Sequence, residues 1–199
     1  MNGGVGSVIQ WTGAAVNLTL WGWLALEFAL ILRDRRRGAG GTAMDRGTRR
    51  LNLLIWAAAI VGGAVAAAWL RPDGAWQLGR WHLAAGLAAM WAGLAVRIWA
   101  VLVLGRAFRT TVEVEAGQQV VDRGPYRWVR HPSYTGMLVI GVGLGLAYGN
   151  WLSLAILVLL PLATMLRRIF VEEAALVRVL GQPYLAYRAK TKRLVPGLW

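Results

Sequence analysis

The chain has 199 residues, of which 57% are hydrophobic and only 16% are charged, and its formal net charge at pH 7 is +13. Soluble domains contain about a quarter charged residues, so this composition indicates one compact integral membrane protein. The positive charges flank apolar segments and form no groove of alternating basic and aromatic residues, which favours anionic lipid headgroups over nucleic acid as their partner. Cysteine is absent, which excludes disulfides, thiolate metal ligands and a cysteine nucleophile.

Three apolar segments in the first half of the chain reach the ~20 residues that a transmembrane helix needs. They are predicted at residues 8–32, 51–70 and 81–104. Glu27 lies inside the first of them, and an acid in a membrane span is a functional candidate by default. Because Glu27 lies close to the basic end of this segment, snorkelling or pairing with Arg33 is an equally open interpretation.

Two shorter apolar segments, residues 135–148 and 151–166, meet at Gly149-Asn150 and predict a tight helical hairpin. Gly141, Gly145 and Gly149 recur at four-residue spacing, which is typical of close helix packing in lipid. A nucleotide-binding glycine loop would follow a strand, and no strand pattern is near. Residues 167–190 are amphipathic and charged, which indicates a helix that leaves the membrane.

Arginine distribution predicts the orientation of these segments. Residues 33–50 and 105–133 are rich in arginine, whereas no charged side chain precedes the first segment. The positive-inside rule then places the N-terminus outside and the C-terminus in the cytoplasm. We therefore predict an all-α integral membrane protein with about five transmembrane helices, the last two a short helical hairpin, followed by a cytoplasmic C-terminal amphipathic helix.

The stretch GPYRWVRHPSY, residues 124–134, concentrates polar chemistry at the edge of the fourth segment. Pro132 disfavours helical geometry at His131, so a bend is expected there, and the first helical turn after it could receive an anion through its free N–H groups. Together with an imidazole and tyrosine rings, this would suit a polar, partly anionic ligand with a flat ring. Alternatively, Arg127 and Arg130 are membrane anchors, the tyrosines belong to an interfacial belt, and His131 satisfies a carbonyl.

A second polar cluster follows the fifth segment. Arg168 and Glu172 are four residues apart and share one helix face, and Glu173 is adjacent. A simple salt bridge between Arg168 and Glu172 and a ligand-facing pair of acids are both open on this pattern.

Several separated motifs in order resemble one enzyme family. GPYRWVRHPSYTG, Asn150, RRIFVEE, LGQPYLAY and Pro196 are similar to the isoprenylcysteine carboxyl methyltransferases, which are grouped with the phospholipid N-methyltransferases. The similarity covers about residues 93–199. The resemblance implies an S-adenosylmethionine-dependent membrane enzyme with its active site at the cytoplasmic face. Residues 105–199 would form the cofactor-binding catalytic region, and residues 1–104 would supply three transmembrane helices and the basic loop 33–50.

The resemblance also implies site residues. Arg168 would be the catalytic residue that orients the substrate, and no metal is implied. Tyr184 and Tyr187 match positions near the end of the closing helix, without an assigned role. At Gln118 the family often has His, so this position departs from its pattern. The implied cofactor-binding residues are Gln118, Gln119, Val120, Val121, Tyr126, His131, Pro132, Ser133, Tyr134 and Glu172.

The implied reaction is carboxyl O-methylation of a hydrophobic, lipid-like acceptor of the isoprenylcysteine type, which would enter from the surrounding membrane lipids. A carboxylate acceptor is already ionised and needs a cation rather than a general base. No obligate protein partner is inferred. The alternatives are a phospholipid amine N-methyltransferase, an NADPH-dependent sterol-type reductase and a non-catalytic membrane binding protein.

Overall fold

The computed structural model describes residues 3–37, 45, 47–70, 81–112 and 119–199, with the side chains of the first helix from residue 12 onward. Every regular element in this part of the chain is helical, as predicted, and Val129 and Lys192 form an isolated bridge. Two 3-10 turns, Gly105–Ala107 and Gly124–Arg127, lie between the third and fourth helices. The helices are α1 (Gly3–Arg36), α2 (Thr48–Trp69), α3 (Trp81–Leu104), α4 (Pro132–Tyr148), α5 (Trp151–Leu180) and α6 (Gln182–Lys190).

Four of these helices are long and apolar enough to cross a membrane, namely Thr12–Arg36, Thr48–Trp69, Trp81–Ala107 and Trp151–Leu180. The apolar helix α4 has only 17 residues and is shorter than a typical span. Large apolar side chains such as Trp21, Leu54 and Leu102 are more than two-thirds exposed on the outside of the bundle. Such a surface requires lipid around it, which supports a multi-pass integral membrane protein.

The predicted boundary between the fifth segment and a separate charged helix is wrong. Helix α5 runs without interruption from Trp151 to Leu180, through the charged residues that follow position 166. The helix can continue because residues 167–180 contain no glycine or proline, and arginine and glutamate are good helix formers. The break comes instead at Gly181, whose φ of +60° lies in the region that favours glycine, and α6 begins directly after it.

The α4–α5 hairpin turns where the sequence predicts it. Gly149, with a φ of +74°, ends α4, and the Asn150 Oδ1 accepts a hydrogen bond of 2.8 Å from the Ser153 N–H at the start of α5. The predicted glycine packing is confirmed at two positions. A Cβ added at Gly141 would lie 2.6 Å from the Leu157 carbonyl oxygen, and one added at Gly145 would lie 2.7 Å from the Leu154 Cα.

Helices α3 and α4 also touch through glycines, which the sequence analysis did not predict. A Cβ added at Gly93 would lie 2.5 Å from the Gly136 carbonyl oxygen, and one at Gly86 would lie 2.6 Å from that of Gly143. This backbone contact brings α3 close enough for Arg97 to reach Ser133 in the first turn of α4.

The C-terminal segment holds the bend before α4. The Arg130 and His131 N–H groups donate to the carbonyl oxygens of Lys192 (2.7 Å) and Arg193 (3.0 Å). The backbone of His131 lies outside helical geometry, with φ −124° and ψ 55°, which confirms the bend predicted from Pro132. The start of α4 is therefore fixed from two sides, by α3 and by the C-terminal segment.

Candidate active site

A cavity of about 150 Å³ lies at the end of the bundle where the bend before α4 meets α5 and α6. It is lined by residues of all six helices and of the connector between α3 and α4. The structure brings most of the predicted site residues to its wall, whereas Pro132 does not line it and Gln118 falls outside the described residues. The predicted residues at the cavity are Gln119, Val120, Val121, Tyr126, His131, Ser133, Tyr134, Arg168 and Glu172.

His131, Tyr134 and Glu172 form one cluster on this wall. The rings of His131 and Tyr134 stack with centroids 5.6 Å apart, and the Tyr134 hydroxyl donates a 2.8 Å hydrogen bond to the Glu172 Oε2. The Glu172 Oε1 lies 3.9 Å from the His131 Nδ1, and the Glu172 side chain keeps 31% of its surface exposed. Glu172 thus presents a positioned carboxylate to the cavity.

The first turn of α4 is less open to an anion than the sequence interpretation expects. The N–H groups of Tyr134 and Thr135 both donate to the His131 carbonyl oxygen, at 3.0 and 3.1 Å. Two of the donors on which that interpretation rests are therefore already used within the protein.

Glu173 has a different role from its neighbour. Its Oε1 accepts a 2.7 Å hydrogen bond from the Arg130 Nε, and its Oε2 lies 3.3 Å from the Arg193 Nε. The His131 Nε2 is 3.4 Å from the Glu173 Oε1 but lacks hydrogen-bond geometry. Glu173 is only 4% exposed and does not line the cavity, so the interpretation of both acids as ligand-facing holds for Glu172 alone.

Arg127 and Arg130, the two cations of the bend, are bound within the protein. The Arg127 guanidinium lies over the Trp128 ring, 4.0 Å from its centroid. Arg130 lines the cavity, but its Nε is bound to Glu173 and its Nη1 donates to the carbonyl oxygens of Arg188 and Thr191. Arg130 therefore stabilises the bend and the C-terminal segment, whereas Arg127 stacks on its exposed neighbour Trp128.

Arg168 is buried and reaches Glu172 only indirectly. Its Nε donates to the Tyr134 hydroxyl (2.7 Å) and its Nη2 to the Thr110 carbonyl oxygen (2.6 Å). Its Nη1 contacts the Asp45 Oδ1 (3.2 Å) and the Thr48 Oγ1 (3.4 Å). Among the described residues its carboxylate partner is thus Asp45, so the simple salt bridge to Glu172 is not formed.

Two buried aspartates, Asp34 in the last turn of α1 and Asp45 in the connector that follows it, fix the segment between α3 and α4. The Asp34 Oδ2 accepts a hydrogen bond from the Thr110 N–H, and the Asp45 Oδ1 accepts one of 3.2 Å from the Val112 N–H. Both acids are less than 5% exposed. The sequence analysis missed them, although isolated acids in an arginine-rich loop were a usable signal.

Glu27 pairs with Arg97 of α3, so the interpretation of a pair with Arg33 is wrong. The Arg97 Nη2 lies 2.6 Å from the Glu27 Oε2, its Nε contacts the Oε1, and its Nη1 donates to the Ser133 hydroxyl. Arg33 instead contacts Asp34 and the Phe108 carbonyl oxygen. Glu27 and Arg97 both line the cavity.

Tyr184 and Tyr187 place two phenols of α6 at the cavity. The Tyr187 hydroxyl donates a 2.7 Å hydrogen bond to the Tyr126 carbonyl oxygen, and burial raises the pKa of Tyr187 to about 12. Burial, followed by the nearby carboxylates of Glu173 and Glu172, also raises the pKa of Tyr184 above its ordinary value. Both phenols therefore stay protonated near neutral pH.

Several buried polar atoms at the cavity have no hydrogen-bond partner among the described residues. They are the Tyr184 hydroxyl, the Thr110 and Thr111 hydroxyls and the Arg49 Nη1. Buried polar groups are normally satisfied, so this wall is arranged for a polar ligand. The described residues contain no group of three or more His, Cys, Asp or Glu that could hold a metal ion.

Comparison with known proteins agrees with the sequence resemblance. The protein-S-isoprenylcysteine O-methyltransferase of Schizosaccharomyces pombe is 33% identical over 109 residues, covering 48% of this chain and 46% of that protein. The enzyme of the same name from Tribolium castaneum is 30% identical over 118 residues, covering 58% of this chain and 42% of that protein. The chain thus spans less than half the length of these relatives.

A solved structure establishes the fold. The eukaryotic intramembrane Ras methyltransferase, an isoprenylcysteine carboxyl methyltransferase, superposes with a TM-score of 0.57 at 23% sequence identity, covering 73% of this chain and 52% of that one. The family profile of the phospholipid methyltransferases matches residues 81–183, just over half of the sequence. The chain therefore belongs to the phospholipid methyltransferase family.

Proposed function

We propose that this protein is an integral-membrane S-adenosylmethionine-dependent methyltransferase that methylates the carboxyl group of a lipid-like acceptor of the isoprenylcysteine type. Family membership and the names of the relatives support methyl transfer to such an acceptor. The observation that carries the proposal is the cluster at the cavity wall, where Tyr134 and His131 position the Glu172 carboxylate beside a partly open cavity of mixed polar and apolar lining.

The side chains at the cavity fit the polar groups of S-adenosylmethionine. Ribose hydroxyls and an ammonium group both donate hydrogen bonds, and Glu172 is the acceptor that faces the cavity. The Tyr184 hydroxyl, which has no partner among the described residues, supplies a donor. We assign cofactor contacts to the other members of the predicted set, whereas Pro132, which is buried and does not line the cavity, would act by fixing the bend at His131. The assigned residues are Gln118, Gln119, Val120, Val121, Tyr126, His131, Ser133, Tyr134 and Glu172.

When bound, S-adenosylmethionine would supply an electrophilic methyl group on a sulfonium. The protein then has to position two reactants and exclude water, because an ionised carboxylate needs no base. Arg168 places a fixed positive charge at the cavity, where it would orient the acceptor carboxylate. The α6 tyrosines would close the site against water, and aromatic faces such as that of Tyr134 would favour the cationic sulfur.

We place this site at the cytoplasmic face, with the N-terminus outside. The support is the arginine-rich composition of residues 33–50 and 105–133, which border the cavity end of the bundle. Residues 105–199 would form the catalytic region, to which residues 1–104 contribute cavity-lining side chains. The cofactor would enter from the cytosol and the acceptor from the membrane.

Methylation of a phospholipid amine is the second candidate, because the matching family is described by phospholipid methylation. An amine acceptor must lose a proton before it attacks the methyl group. Among the described cavity residues, the side chains of His131 and Glu172 would be the candidate general bases.

A methyl-transfer assay separates the two candidates. Protein in liposomes is incubated with methyl-labelled S-adenosylmethionine and either an S-prenylated N-acetylcysteine or a phosphatidylethanolamine. We expect label in the prenylcysteine product, released as volatile methanol by alkali because the product is an ester. Alkali-stable label in the phospholipid would establish the amine candidate. Absence of transfer to either acceptor by a folded protein would overturn the proposed substrate classes.

A further inference from the structure

We infer that Arg49, together with Thr110 and Thr111, forms the anion-binding subsite that receives the acceptor carboxylate in this cavity. The inference rests on the proposed function and adds Arg49, which precedes the residues that the family match covers, 81–183. It also assigns direct binding of the acceptor carboxylate to Arg49, in the first turn of α2, rather than to Arg168 alone.

Arg49 is held at the cavity by its own backbone. It lies in the first turn of α2, where its N–H donates a 3.2 Å hydrogen bond to the Asp45 Oδ2. Its side chain lines the cavity, and its Nη1 is buried without a hydrogen-bond partner among the described residues. A buried guanidinium nitrogen without a partner is costly, and an anionic ligand would remove that cost.

Arg168 has little hydrogen-bonding capacity left. A guanidinium has about five N–H donors. Those of Arg168 already serve the Tyr134 hydroxyl, the Asp45 carboxylate, the Thr48 hydroxyl and the Thr110 carbonyl oxygen. Arg168 can offer the methyl acceptor its positive charge and one remaining Nη2–H. Hydrogen bonds to both oxygens of the acceptor carboxylate therefore need donors from a second cation.

The two arginines converge on one corner of the cavity. Thr48, which precedes Arg49 in the chain, accepts from the Arg168 Nη1, and Asp45 bonds both Arg168 and the Arg49 backbone. The Asp45 carboxylate pairs with the Arg168 guanidinium, but it contacts Arg49 only through the backbone N–H and does not neutralise the Arg49 side chain. The corner therefore keeps an excess positive charge, which attracts an anion and repels an ammonium group.

Two threonine hydroxyls complete the corner. Thr110 and Thr111 line the cavity, and neither hydroxyl has a hydrogen-bond partner among the described residues. Thr111 is only 3% exposed, so its hydroxyl is shielded from bulk solvent. Cationic and hydroxyl donors together match a carboxylate, while the nearby apolar side chains of Ile31, Leu53 and Leu104 would contact a lipid tail.

The test compares a carboxylate probe with its neutral analogue. Isothermal titration measures binding of S-prenylated N-acetylcysteine and of its carboxamide to the full-length protein, saturated with S-adenosylhomocysteine. The wild type is expected to prefer the carboxylate by roughly 10- to 100-fold, as one charge-assisted hydrogen bond would give. Arg49→Gln should lose that preference, whereas its affinity for S-adenosylhomocysteine should not change.

Arg50→Gln is the matched control, because Arg50 is the neighbouring arginine and is exposed. It removes the same charge and should keep the carboxylate preference. Thr111→Val, which removes only the hydroxyl, should reduce the preference several-fold and serves as the second variant if Arg49→Gln does not fold.

Two results would overturn the subsite: equal binding of carboxylate and carboxamide by the wild type, or an unchanged preference in Arg49→Gln. If Arg49→Gln does not fold, an unchanged preference in Thr111→Val overturns it as well. Failure of the wild type to bind S-adenosylhomocysteine would count against the proposed function instead. In that case the probes are titrated alone, and a carboxylate preference lost in Arg49→Gln still supports the subsite.

Discussion

Glu173→Gln is expected to destabilise the folded protein by about 3–5 kcal/mol, although the substitution changes only one atom and one charge. The Glu173 carboxylate lies between the guanidinium groups of Arg130 and Arg193 and is almost completely buried. Removing its charge leaves both cations facing a neutral amide and loosens the C-terminal segment that holds the bend at His131. Thermal unfolding in detergent, followed by tryptophan fluorescence, measures the loss.

Glu172→Gln is the matched variant, one residue earlier in the same helix. Because the Glu172 side chain is 31% exposed and its Tyr134 contact can be kept by an amide oxygen, stability should change by less than about 0.5 kcal/mol. Its affinity for S-adenosylhomocysteine should fall by roughly 10- to 100-fold. Equal loss of stability in the two variants, or a selective loss of cofactor affinity in Glu173→Gln, would contradict this division of roles.

The Glu27–Arg97 pair should show strong coupling in a double-mutant cycle. Glu27→Gln and Arg97→Gln are each expected to lower the free energy of unfolding by about 3–5 kcal/mol. Each substitution leaves one buried charge uncompensated between membrane helices. The double variant should be more stable than the sum of the single effects predicts, since no charge remains unpaired. Reversible unfolding in mixed micelles with increasing dodecyl sulfate gives the four free energies.

Arg35→Gln serves as the control, because Arg35 is exposed at the end of α1 and should change stability by less than about 0.5 kcal/mol. Additive effects of Glu27→Gln and Arg97→Gln would show that the pair contributes no coupling energy. Arg97→Gln should also weaken the binding of S-adenosylhomocysteine. Arg97 donates a hydrogen bond to the hydroxyl of Ser133, which belongs to the proposed cofactor-binding set.

Local sequence signals predicted the features that depend on nearby residues. Pro132 predicted the bend at His131, and Gly149-Asn150 predicted the hairpin turn, because backbone conformation at these positions is set by the residues themselves. Hydropathy predicted the apolar helices. The HPSY motif with Glu172 predicted one wall of the cavity, which the structure brings together from α4 and α5.

Features that depend on distant partners were not predictable in the same way. Glu27 and Arg97 are 70 residues apart, and Asp45 and Arg168 are 123 apart, so no spacing rule connects them. The charged residues after position 166 were interpreted as a separate helix, yet α5 runs through them because no glycine or proline interrupts it before Gly181. The arginine-rich residues 33–50 predicted only the orientation of the chain in the membrane, and the position of Arg49 at the cavity depends on the tertiary fold.

The most direct test is isothermal titration of the detergent-purified protein with S-adenosylmethionine, S-adenosylhomocysteine and NADPH. Both adenosyl ligands should bind and NADPH should give no binding heat, because the proposed pocket is assigned to the methyl donor. Binding of NADPH alone would contradict the methyltransferase assignment in favour of a reductase. Absence of binding by all three ligands, in protein shown to be folded, would contradict it in favour of a non-catalytic membrane protein.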